Sequence, residues 1–111
     1  MDTINNIDIL GTNYHIEFRG QDEDVKLLNC DGYCDTSTKL IVVGKFNKTD
    51  NSLDDLDYYS RKVLRHELIH AILYECGLSS NSWADNEEIV DWIAHQFPKL
   101  LSIFSVAGVI K

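Results

Sequence analysis

Proline, basic residues and long apolar runs are all scarce in this sequence, and each scarcity removes a class of structure or function. The one proline, Pro98, excludes collagen-like and polyproline segments. Ten lysines and arginines stand against eighteen aspartates and glutamates, a net charge of -8, and they are scattered rather than gathered into a stripe. A phosphate backbone would be repelled on average, so no nucleic-acid partner is expected. The longest apolar stretch, Leu100 to Ile110, is broken by Ser102, Ser105 and Gly108, and it falls short of the roughly 20 residues that span a bilayer. No membrane partner is expected. The stretch reads instead as a terminal helix or strand packed on the core, with an oligomer or partner surface as the alternative.

Cysteine is sparse too. Cys30, Cys34 and Cys76 are odd in number and form no C-x-x-C pair, which fits neither a disulfide framework nor a structural zinc knuckle. Reduced thiols are the expectation. The segment Met1 to Asn6 is acidic and polar and lacks the basic start and apolar stretch of a secretory signal. A cytoplasmic location follows as the expectation.

What is present is ordinary for a folded chain: 44% hydrophobic and 25% charged residues. At 111 residues the chain holds one core, so residues 1–111 are expected to form a single domain without repeats or linkers. Ile4 to Leu10 reads as a strand, Gly11-Thr12-Asn13 as a turn, and Tyr14 to Phe18 as a second strand with alternating apolar residues. Gly20 to Asn29 has room for a short helix, and Cys30 to Asp35 carries turn chemistry around Gly32. Lys39 to Val43, short and β-branched, reads as a buried strand. Asp54, Asp55 and Asp57 suit a helix N-terminus, and that helix should reach Cys76, where Gly77 stops it. A second helix is predicted from about Asp85 to Phe97, with Pro98 ending or kinking it.

The chemistry lies on the first long helix, in His66-Glu67-Leu68-Ile69-His70. Residues four apart share a helix face, so both imidazoles can reach one ion. Glu67 is rotated away from the pair and can address a water on the open side of a metal, as a general base must. The flanking Val63, Leu64, Leu68, Ala71 and Ile72 place the histidines on a largely buried helix, where an imidazole needs a partner. A catalytic zinc site takes three protein ligands. The third is sought in Asn86-Glu87-Glu88-Ile89-Val90-Asp91, where Glu87 can ligate and Asp91, one turn on, can accept a hydrogen bond from a ligating histidine. His95 is an alternative third ligand, as in SprT-like proteins. His15 is expected to be structural, and Tyr58, Tyr59 or Tyr74 can donate to an oxyanion or merely pack.

His66-Glu67-Leu68-Ile69-His70 followed by Asn86-Glu87-Glu88-Ile89-Val90-Asp91 resembles the gluzincin pattern H-E-x-x-H with a downstream N-E-x-x-x-D. Within that group the short chain looks most like phage or mobile-element peptidases of the ImmA/IrrE type. The resemblance implies a minimal zincin-like α+β fold with a small N-terminal mixed or antiparallel sheet, an H-E-x-x-H helix and a C-terminal helix bearing Glu87. It implies that His66, His70 and Glu87 bind Zn2+, that Glu67 is the catalytic base and acid, and that Asp91 orients a ligand. It also implies that Lys39 to Val43 is an edge strand on which an extended peptide can pair. The expected activity is a zinc metallopeptidase acting on a peptide or protein substrate. The alternative is a phage or mobile-element regulator that keeps zinc and binds a partner without proteolysis, for which a closed site with a fourth ligand such as Cys30 or Cys34 would speak. The sequence leaves the oligomeric state open.

Overall fold

The computed structural model describes residues 5–46 and 56–111. Its elements are β1 (Asn6–Ile9), β2 (Thr12–Arg19), a short 3-10 turn (Val25–Leu28), β3 (Gly32–Asp35), β4 (Leu40–Gly44), α1 (Leu56–Glu75) and α2 (Glu87–Val106). The architecture is α+β: a four-stranded mixed sheet in the order β1-β2-β4-β3, with two helices. Asp54 and Asp55, expected at the start of α1, and the polar residues Asn47 and Asn51 lie outside the described residues.

β1 and β2 form an antiparallel hairpin that pairs Ile9 with Thr12. The turn is therefore Leu10-Gly11, earlier than the expected Gly11 to Asn13. Both residues have positive φ, 52° and 95°, as the two-residue turn matching strand twist requires. β4 runs parallel to β2 and antiparallel to β3. It is thus interior, and the edge-strand expectation for Lys39 to Val43 is corrected. Ile41, Val42 and Val43 are fully buried, which an interior strand allows on both faces. The sheet's edges are β1 and β3, the latter in the segment expected to be a turn.

One face of the sheet carries Ile9, Tyr14, Ile16 and Ile41, which cluster with Ala71, Leu64 and Leu68 of α1. Val63, Glu67 and Ala71, four apart, are the buried row of that helix. α1 ends in the hydrogen bonds Leu78 N–H to Leu73 O (2.8 Å) and Gly77 N–H to Tyr74 O (3.1 Å), with Gly77 at φ 86°. This is the Schellman stop expected from a glycine there.

α2 begins at Asn86, whose side chain accepts from the N–H groups of Glu88 (2.8 Å) and Ile89 (3.3 Å). It does not end at Pro98 but runs on to Val106. Proline lacks the N–H that would bond the carbonyl of Ala94, and Arg65 Nε of α1 donates to that carbonyl instead, at 2.6 Å. The continuation does not pack on the core as expected: every residue from 101 to 111 is exposed. Among the described residues no helix is long and apolar enough to cross a membrane.

Candidate metal centre

Helical geometry sets the site. His66 and His70 sit one residue before the buried positions Glu67 and Ala71, so their row is turned from the sheet toward α2. The Asn86 cap places Glu87 in the first turn of α2, opposite that row. The result is a convergence of three side chains. Glu87 Oε2 lies 2.9 Å from His66 Nε2, Glu87 Oε1 lies 2.7 Å from His70 Nε2, and the two Nε2 atoms are 3.2 Å apart. One ligand atom from each of His66, His70 and Glu87 lies within 4.8 Å of the others.

The donor chemistry fits a borderline-soft divalent cation: two imidazoles and one carboxylate, with room for a further position. His66 turns its other nitrogen, Nδ1, to Asp91 Oδ1 at 3.4 Å, which leaves Nε2 pointing to the convergence. Asp91 is itself held by Lys62 Nζ at 3.2 Å. Partial burial works to raise the Asp91 carboxyl, but the Lys62 ammonium and His66 outweigh it and keep the group below its usual range. Burial lowers the pKa of His70 and so favours the neutral imidazole, the form that ligates a metal.

Glu67 is 7% exposed. Burial pushes its carboxyl up to about 7, with His66 pulling it down and Glu87 adding to the rise. A carboxyl poised near neutrality is suited to accepting and returning a proton. It lies on a cleft of about 740 Å³ between β3, α1 and α2. Gly32 of β3 packs against this residue: a Cβ there would stand 2.8 Å from both Val42 O and Val63 Cγ1, and 3.6 Å from Glu67 Cγ.

The structure therefore brings His66, His70 and Glu87 together, with Glu67 and Asp91 beside them. His95 is exposed on α2 and neither lines the cleft nor joins the ligand group. Cys30 and Cys34 line the cleft, but among the described residues neither is part of that group. Tyr59 and Tyr74 line the cleft as well, and Tyr59 gives its hydroxyl to Asp31. His15 is exposed on β2, near Asn6 and Glu17.

Two contributions were not anticipated from the sequence. Lys62 carried a signal, since it stands one turn before His66 on the same face. The β3 edge did not, because its glycine and aspartates imitate a turn. Comparisons of the chain with protein-family models, with curated proteins and with solved structures gave no match.

Proposed function

We propose that the protein is a zinc-dependent peptidase with a zincin-like site, in which His66, His70 and Glu87 hold the ion. The observation that carries this reading is the meeting of two Nε2 atoms and one carboxylate within 4.8 Å, beside the buried carboxyl of Glu67 on the same cleft. When bound, zinc supplies a Lewis acid that acidifies water and polarises a carbonyl. Glu67 takes the proton of the attacking water and passes it to the leaving amine. Asp91, braced by Lys62, fixes the ring of His66. The unpaired edge of β3 borders the cleft and offers main-chain donors and acceptors to an extended peptide. That role falls to Gly32–Asp35 rather than to β4, which is enclosed by its neighbours.

Metal content and catalysis are tested separately. The purified chain should contain about one zinc, and His66→Ala or Glu87→Ala should lose it; retention of the metal by both variants would refute the ligand set. Glu67→Gln should keep the zinc while activity falls by about 10²–10⁴. Incubation with a mixture of bacterial proteins, followed by mass spectrometry of new peptide termini, reads that activity. Identical termini from wild type and Glu67→Gln would remove Glu67 as the base.

A further inference from the structure

α2 carries a second surface, distinct from the cleft. Its row toward α1 is Glu87, Val90, Asp91 and Ala94: Glu87 and Asp91 meet α1 side chains, and Val90 and Ala94 are 1% and 0% exposed. Around the helix from that row, Ile89, Ile93, Gln96, Leu100 and Ile103 succeed one another at spacings of four, three, four and three. This is the repeat that presents a continuous seam to a facing helix. Trp92, Phe97 and Phe104 flank the seam at 55%, 46% and 50% exposure, and Ile103 is 60% exposed.

We propose that this face of α2 joins two copies of the chain across a two-fold axis. Its size suits such a contact. With aromatic side chains contributing roughly 150–250 Å² apiece when fully buried, the exposed parts of Ile89, Trp92, Phe97, Ile103 and Phe104 leave on the order of 500 Å² per copy, so that two copies reach about 1,000 Å², the lower bound of a specific interface. Its one polar member is self-complementary. A glutamine amide is both donor and acceptor, so two Gln96 side chains facing each other across the axis satisfy one another.

Its charge also suits like meeting like. Between Trp92 and Val106 the only Lys, Arg, Asp or Glu is Lys99, so the net charge of -8 is kept off the contact. A membrane surface fits less well, since a helix lying on lipid carries a basic polar face, and the polar side of α2 bears Glu88, His95, Lys99 and Ser102, with a single lysine among them.

Sedimentation equilibrium of the full chain between about 1 and 100 µM tests the proposal. Wild type should be dimeric. Ile103→Glu and, independently, Phe104→Glu should each weaken the dimer by about 100-fold, and circular dichroism should report unchanged helix content because both side chains are exposed in the single chain. Ser102→Glu, on the polar side of the same turn, should alter the dissociation constant by no more than about threefold. A wild type that is monomeric throughout would overturn the proposal, and flotation of that monomer with phosphatidylcholine vesicles would assign the face to lipid. A dimer left intact by both glutamate substitutions would overturn it equally.

Discussion

Tyr14, fully buried on β2, donates its hydroxyl at 2.6 Å to the carboxylate of Glu75 in the last turn of α1. An acid at a helix C-terminus opposes the macrodipole. Here it is held by Thr12 Oγ1 at 2.8 Å and Lys39 Nζ at 2.9 Å as well, so one carboxylate ties the helix to β2 and to the entry of β4. The histidine-bearing face of α1 is oriented on the sheet partly by this anchor.

The anchor predicts an acid-dependent stability. Hydrogen bonds from Tyr14, Lys39 and Thr12 hold the Glu75 carboxyl down at about 2, from 4.5 in an open chain. A depressed acid contributes stability that is whole above its unfolded pKa and is lost as pH falls through its folded pKa. Wild type should therefore lose stability more steeply than Glu75→Gln between about pH 4.5 and 2. Urea midpoints across that range measure it, and a gap between the two proteins that did not change with pH would refute the role.

Arg65 and Pro98 should be energetically coupled. Arg65→Ala leaves the Ala94 carbonyl without its donor and should cost about 1–3 kcal/mol. In a Pro98→Ala background the restored N–H at position 98 takes that carbonyl, and the same substitution should cost about 1 kcal/mol less. Unfolding of the four proteins in urea gives the coupling directly. Additive effects would mean that the bond does not compensate for the proline.

Gly32 is required for closeness rather than for a turn. Gly32→Ala places a Cβ 2.8 Å from Val42 O and Val63 Cγ1, so β3 and α1 must separate. The cost should be about 1–3 kcal/mol. Because Glu67 is the next atom group in line, activity should fall further than the loss of folded protein explains. A variant as active per folded molecule as wild type would show that the spacing is unimportant to Glu67.

Asp91→Ala should weaken metal binding by about 10–100-fold while leaving helix content unchanged. Competition with a chromophoric chelator reads the affinity. Lys62→Met should act in the same direction and more weakly, since it acts through Asp91. Unaltered affinity in Asp91→Ala would reduce its contact with His66 to a surface pair.

The two helices and the spacing of their chemistry were legible because both are local: a 3.6-residue period, an asparagine before paired acids and a terminal glycine describe their own segment. Strand neighbours are not local. The run Leu40 to Val43 announces burial, but nothing within it says whether β3 will cover its second edge. Gly32 misled because close packing and turning ask for the same residue. Pro98 was compatible with an end or a kink, and the end is excluded because a hydrogen bond from Arg65 on the other helix takes up the carbonyl that the proline leaves free. The α+β class was legible, whereas the order of the sheet was not.

An unpaired strand edge normally invites other sheets to add to it, which is how many chains begin to aggregate. In this fold β3 is only four residues long, and its residues are partly buried along a cleft bounded by two helices. Those walls obstruct the stacking of a second sheet on β3. Under the proposed function the recess that receives one peptide would also shield this edge from fibril growth, so the enclosure that restricts access is the same one that blunts aggregation there.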